Sequence, residues 1–272
     1  MNRRTTATTV RQPPNVTGHD ARVELLNRNI RATVPIRKTF VQRPPGETPR
    51  EGPLATFVTN GDLRGLRAYL TIIAASGASD EKRGGWVTEL DSLVWGRLFD
   101  AEATATPQAA RTAAWRTMGR LAERNLIERA REPGARKIAV TLLREDASGE
   151  PYTHPGPDGK TVGNRFLRLP ARFWKDGYDA KITLPGLAML LVLAAEKPWS
   201  SYPPDRMPEW YGWSGDTTQR GLKNLLDLKL TERRESYKKA PLAPLGSTLI
   251  YEYRLASWMR PKAGNRPDRS TK

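Results

Sequence analysis

Residues 106–143, TPQAARTAAWRTMGRLAERNLIERAREPGARKIAVTLL, decide how this chain is read. Thr106 before Pro107 is a helix start, because a hydroxyl can accept from free backbone N–H groups and proline is pre-shaped for the first helical position. At 100° per residue, Ala110, Ala114, Met118 and Leu121 fall on one side of the helix, with Gln108, Thr112, Trp115, Arg116 and Gly119 opposite and Arg111 at the boundary. Small apolar residues inward and Gln, Thr and Arg outward suit a helix lying in a DNA major groove. Asn125 then supplies a turn, residues 126–130 (LIERA) a strand, 132–135 (EPGA) a tight turn and 137–143 (KIAVTLL) a returning strand. Arg129, Arg131, Arg136 and Lys137 flank that turn and would carry charge to a phosphate backbone.

Upstream, Asp62 precedes LRGLRAYLTIIAAS, whose Leu63, Leu66, Tyr69, Leu70 and Ile73 form a helical apolar stripe ended by Gly77. Trp86 and Val87 suit a short strand, and residues 89–99 (ELDSLVWGRLF) repeat the helical spacing. Helix, helix, helix and hairpin is the winged helix-turn-helix order. The string RTAAWRTMGRLAERNLIERAR resembles the recognition-helix-to-wing passage of bacterial winged-helix proteins, with Asn125 where those families carry glycine. Trp115 suits either a contact within the protein or packing against DNA sugars.

Downstream of residues 145–164 (EDASGEPYTHPGPDGKTVGN), which read as a linker, the same order recurs. Residues 166–174 (FLRLPARFW) suggest a strand and a helical turn, and Thr183, Leu184 and Pro185 open an almost wholly apolar helix. Residues 205–211 suggest a short helix, and Ser214 caps another with Thr218, Leu222, Leu225, Leu226 and Lys229 along one stripe. Asp216, Thr217, Arg220, Lys223 and Asn224 are expected outward and Gln219 at the edge; two strands then enclose a Pro-rich wing that Lys238 and Lys239 enter. This stretch resembles the winged-helix part of plasmid replication initiators, from which it departs at Lys229 and in the length of its wing. The resemblance implies a DNA-binding fold and origin binding as one role.

With 45 Lys and Arg against 29 Asp and Glu, the formal charge is +16, which suits a long polyanion. Absence of cysteine excludes disulfides, Cys-ligated zinc and thiol catalysis. The two histidines, His19 and His154, fall in the N-terminal segment and the linker, which gives acid–base or metal chemistry no foundation. No phosphate-cradling GxxxxGK[ST] stretch, signal peptide or membrane span is legible. Asp91, Asp100 and Glu102 are read as helix-end residues.

The expectation is therefore a mainly helical α+β protein without enzyme activity, cofactor or metal, cytoplasmic and not bound to membrane. Its parts are a disordered basic arm (1–60), with a short helix forming on docking near residues 20–30, a winged helix-turn-helix domain (61–144), the linker (145–164), a second such domain (165–258) and a basic tail (259–272). Its partner is double-stranded DNA, read by Gln108, Arg111, Thr112, Arg116, Arg131, Arg136 and Lys137 in the first domain. Thr217, Gln219, Arg220, Lys223, Lys238 and Lys239 do so in the second. A transcriptional regulator, a replication initiator engaging replication proteins, and a protein-binding adaptor are the three roles open at this point, and a homodimer is compatible with each.

Overall fold

Local capping starts most of the helices in the computed structural model, which describes residues 15–29, 32–77, 85–155 and 162–260. The N-terminal segment contributes α1 (Gly18–Arg28), begun by a Thr17/Asp20 capping box, then β1 (Thr33–Arg37) and α2 (Leu54–Thr59). The first half continues with α3 (Leu63–Ala75), capped by Asp62, β2 (Val87–Asp91), α4 (Ser92–Leu98), capped by Asp91, α5 (Pro107–Glu123), β3 (Ile127–Ala130) and β4 (Lys137–Leu142). The second half holds β5 (Phe166–Pro170), α6 (Arg172–Lys175), α7 (Tyr178–Lys181), α8 (Leu184–Ala195), α9 (Met207–Tyr211), α10 (Gly215–Asp227), β6 (Thr231–Lys239) and β7 (Ser247–Leu255). The class is α+β with small antiparallel sheets: β1-β5, β2-β4-β3 and β6-β7. Among the described residues no helix is long and apolar enough to cross a membrane.

The two halves repeat one order of elements. In the first, α3 is followed by β2, α4, α5 and the β3–β4 hairpin, with β2 pairing to the hairpin's second strand. In the second, α8 is followed by Ser200, α9, α10 and the β6–β7 hairpin, and Ser200 forms an antiparallel bridge to Tyr253 of that hairpin's second strand. Asn125 and Lys229 occupy the same place, between third helix and hairpin, and both have left-handed φ, 54° and 56°. A sharp reversal there needs that conformation, and asparagine adopts it more readily than lysine.

The reading of residues 1–60 as an unpacked arm is wrong for the described part of it. Val34, Ile36, Phe40, Val41, Leu54 and Phe57 are each 3% exposed or less. These few apolar side chains cannot form a core among themselves, but they complete one made by later elements, and burial of that kind outweighs the ordering entropy. Strand β1 pairs antiparallel with β5, from Thr33 opposite Pro170 to Arg37 opposite Phe166. Residues 1–14 and the expected tail from 261 onward lie outside the described residues, as does Ile30 of the expected docking helix. One hydrophobic cluster runs from Leu26 to Met259, so the boundaries expected at 61, 145 and 165 do not part separate cores.

Arg37 is the knot of this arrangement. Its Nη1 donates to Glu145 Oε2 at 2.6 Å, its backbone N–H donates to Glu145 Oε1 at 3.1 Å, and its Nη2 donates to the Thr153 carbonyl and hydroxyl, both at 2.8 Å. Arg37 is 1% exposed and Glu145 fully buried. Burial pushes the Glu145 carboxyl above its ordinary range, and the Arg37 charge and hydrogen bonds pull it back only in part. The expected linker is anchored at points where it is described: Glu145, Tyr152 and Pro155 are buried and Leu143 bridges to Pro151, while residues 148–151 are exposed. Removing one partner of such a pair leaves an uncompensated buried charge. Glu145→Gln is expected to lower unfolding stability in urea by about 3 kcal/mol, and the double change Arg37→Met, Glu145→Leu to recover most of that loss. An unchanged urea midpoint for the single variant would count against the clasp.

Candidate nucleic-acid interface

The register of α5 is set by its buried face. Ala110, Ala114, Met118 and Leu121 are fully buried, and Thr106 Oγ1 accepts from the Ala109 N–H at 3.3 Å. Gly96 of α4 permits the close crossing, since a Cβ there would stand 3.2 Å from the Ala110 methyl. The far end of α5 is tied to the start of α3 by Asp62, which pairs with Arg120 at 3.3 Å and Arg124 at 2.8 Å while accepting from the Gly65 N–H. Burial works to raise the Asp62 pKa, but the Gly65 N–H and the two arginines outweigh it and hold the carboxyl below its ordinary value. The Arg124 guanidinium also lies over the Phe57 ring, 4.3 Å from its centroid. Arg120 and Arg124 therefore brace the fold.

The opposite face of α5 forms one wall of a cleft of about 440 Å³ whose other wall is the β3–β4 hairpin. Gln108, Arg111, Thr112 and Trp115 line it from α5, Arg131, Ala135 and Arg136 from the hairpin, and Ser92 from the start of α4. The hairpin turn is held by the Ala135 N–H donating to the Glu132 carbonyl at 3.0 Å. The cleft lining has three arginines and no carboxylate, and among the described residues Arg111, Arg116, Arg131, Arg136 and Lys137 have no ion-pair partner. Three guanidinium groups lining one concavity without a carboxylate make that lining cationic.

Trp115 joins the two walls. The Arg129 guanidinium lies 3.7 Å from its ring centroid and that of Arg131 5.0 Å, and Arg129 Nη1 donates to the Trp115 carbonyl. Gly119, expected on the outer face, is instead covered by Arg129: a Cβ there would stand 3.0 Å from Nη2. Arg129 is thereby spent on holding helix to hairpin. Five of the expected contact residues, Gln108, Arg111, Thr112, Arg131 and Arg136, meet on the cleft, while Arg116 and Lys137 are exposed outside its lining. Ser92 went unforeseen; its backbone N–H donates to the Arg136 carbonyl at 2.8 Å, a contact made through strand pairing that no local pattern announces.

The second half presents different electrostatics. On α10, Ser214 Oγ accepts from the Thr217 N–H at 3.2 Å, and Gln219, Arg220 and Lys223 are exposed. Arg220 pairs with Asp216 and Lys223 with Asp227, each at 3.0 Å and one turn apart. Asn224, expected outward, turns inward: its Oδ1 accepts from the Thr183 N–H at 3.0 Å and from the Thr183 hydroxyl at 3.1 Å at the start of α8. The reason is the close α8–α10 crossing at Gly221, which lies against the Pro185 carbonyl and has no room for a side chain. Lys238 and Lys239 are exposed near the outer end of β6. At about 3.3 Å per residue Lys238 stands roughly 23 Å along the strand from Thr231, so it does not share a surface with α10.

Comparison with protein-family models, with curated proteins and with solved structures returned no match. The geometry of the cleft is thus the ground for a functional reading. Trp115→Ala removes the ring beneath Arg129 and Arg131, contacts worth about 0.5–2 kcal/mol each. Amide hydrogen exchange in β3 and β4 is expected to quicken by about ten-fold or more, with Trp115→Phe in between. Unchanged exchange in the Ala variant would show that the ring does not hold the hairpin.

Proposed function

We propose that this protein binds double-stranded DNA sequence-specifically, with a winged helix-turn-helix unit in each half, and that it acts as a transcriptional regulator. The carboxylate-free cleft between α5 and the β3–β4 hairpin carries this reading. A helix presenting Gln108, Arg111 and Thr112 from its first turns, beside a hairpin presenting Arg131 and Arg136, has the parts needed to enter a major groove and hold the adjoining phosphates. Arg paired with guanine, or Gln with adenine, discriminates between bases by about 1–3 kcal/mol. The repeated element order, the matching bridge from Ser200 to Tyr253 and the left-handed residues at 125 and 229 support the same architecture in the second half.

The two reading helices are unequal. Asp216 and Asp227 offset Arg220 and Lys223, and Asp216 places negative charge at the helix end that would otherwise favour phosphate. Thr217 also spends its hydroxyl within 3.1 Å of the Ser214 hydroxyl. The α5 unit is the principal reader and α10, with Gln219 unpaired at its surface, adds a weaker second contact.

Mobility shifts on genomic fragments and random duplex, run across a salt series, test this directly. Arg111→Ala with Arg136→Ala is expected to weaken binding on both kinds of duplex and to flatten the log–log salt slope by about 2, as befits two lost phosphate contacts. Gln108→Ala is expected to relax base preference with little change in slope, and Arg220→Ala to cost less than Arg116→Ala. A wild-type protein that shifts no duplex at low salt would sink the proposal; selected fragments forming arrays beside AT-rich segments would replace regulation with initiation.

A further inference from the structure

The most exposed apolar side chains of the described residues are gathered on the outer part of the β6–β7 ribbon: Leu242 at 102%, Leu245 at 90% and Tyr237 at 71%. The tip that carries the leucines is rigidly built. The Ala243 N–H donates to the Ala240 carbonyl at 2.9 Å and the Gly246 N–H to the Ala243 carbonyl at 2.8 Å, giving two successive β-turns, and the Ala240 N–H closes the loop onto the Gly246 carbonyl at 2.9 Å. Pro241 and Pro244 occupy the second position of each turn, where a fixed φ is favoured, and Leu242 and Leu245 the third. The two turns therefore hold the backbone that presents both leucines outward, which limits the backbone entropy lost on docking.

Charge on the ribbon is divided along its length. Near α10, Arg254 pairs with Glu232 at 2.6 Å and Arg234 with Glu252 at 2.7 Å. From Ser236 to Ile250 there are two exposed lysines, Lys238 and Lys239, and no carboxylate. A partner for this tip must be anionic outside and apolar within reach of a leucine. Double-stranded DNA meets both conditions at its minor groove, where apolar wedges part a base step while flanking cations hold the phosphates. The ribbon leaves directly from the end of α10, and its nine-residue strands extend about 30 Å, close to one turn of duplex.

We infer that Leu242 and Leu245 form a minor-groove wedge that kinks the duplex, with Lys238 and Lys239 seated on the phosphates beside it. This rests on the DNA-binding reading above and adds a second action to it: deformation of the duplex at a distance from the reading helices. Such a wedge favours flexible steps and pre-kinked DNA, so the ribbon contributes selectivity without contacting base edges.

The test uses the full chain with two end-labelled duplexes of about 40 base pairs, one uniform and one carrying a bulge of about two unpaired nucleotides, a pre-paid kink. Wild type is expected to bring the labelled ends together and to prefer the bulged duplex by about ten-fold. Leu242→Ala with Leu245→Ala is expected to abolish both effects, and Leu242→Met with Leu245→Met to restore them. Lys238→Ala with Lys239→Ala is expected to weaken both duplexes together. If wild type binds yet neither bends DNA nor prefers the bulge, the wedge is overturned and the DNA-binding reading stands; if it binds no duplex, both fall. The wedge is also overturned if the alanine pair bends DNA as wild type does. The same holds if that pair instead dissolves a dimer seen by sedimentation, or abolishes binding to vesicles containing phosphatidylserine.

Discussion

A buried guanidinium–carboxylate pair, Arg37 with Glu145, holds the rest of this structure in place. Both charges are out of water, so each requires the other, and Arg37 Nη2 donates to Thr153 and Nε to Asn164. Through that one residue the strand β1, the end of the first sheet and the stretch between the halves are joined, while the backbone of β1 pairs with β5. Lys38, the next residue, reaches the Ala195 carbonyl at the end of α8. Two units of similar order thus share one core, where separate domains on a linker would have been free to move apart.

The basic charge of the chain divides into two kinds by its surroundings. Arg120, Arg124 and Arg129 are engaged with Asp62, Phe57 and Trp115, and their loss would be felt as loss of packing. Arg111, Arg131 and Arg136 face a common concavity with no acid to offset them. The difference matters because exposed ion pairs one helical turn apart, as on α10, add little stability but cancel much of the local potential. The same contrast recurs on the β6–β7 ribbon, neutral at its base and cationic at its tip. Among the described residues the α5 cleft lining and the ribbon tip are two places where basic side chains stand without a carboxylate beside them.

Much of this was legible from sequence, and the legible parts share a physical character. The caps at Asp62, Thr106, Thr183 and Ser214, the buried stripe of α5 and the two hairpins depend on residues within a few positions of one another, so periodicity and turn chemistry determined them. The cleft residues Gln108, Arg111 and Thr112 followed from that same periodicity. What local pattern could not convey was partnership across the chain. Arg37 and Glu145 are 108 residues apart, and a strand with few apolar neighbours in sequence reads as unpacked until the surface that buries it is present. Asn224 turned inward and Gly119 was covered for the same reason, a close approach by another element. By itself the sequence determined that α3, α5, α8 and α10 form and where they are capped, but not that residues 89–91 of the helix expected over 89–99 pair as strand β2, nor that α2 and α7 form. Only the tertiary structure decided this, that the two halves share a core and which arginines are left facing outward, because burial, strand pairing and charge pairing are set by neighbours in space.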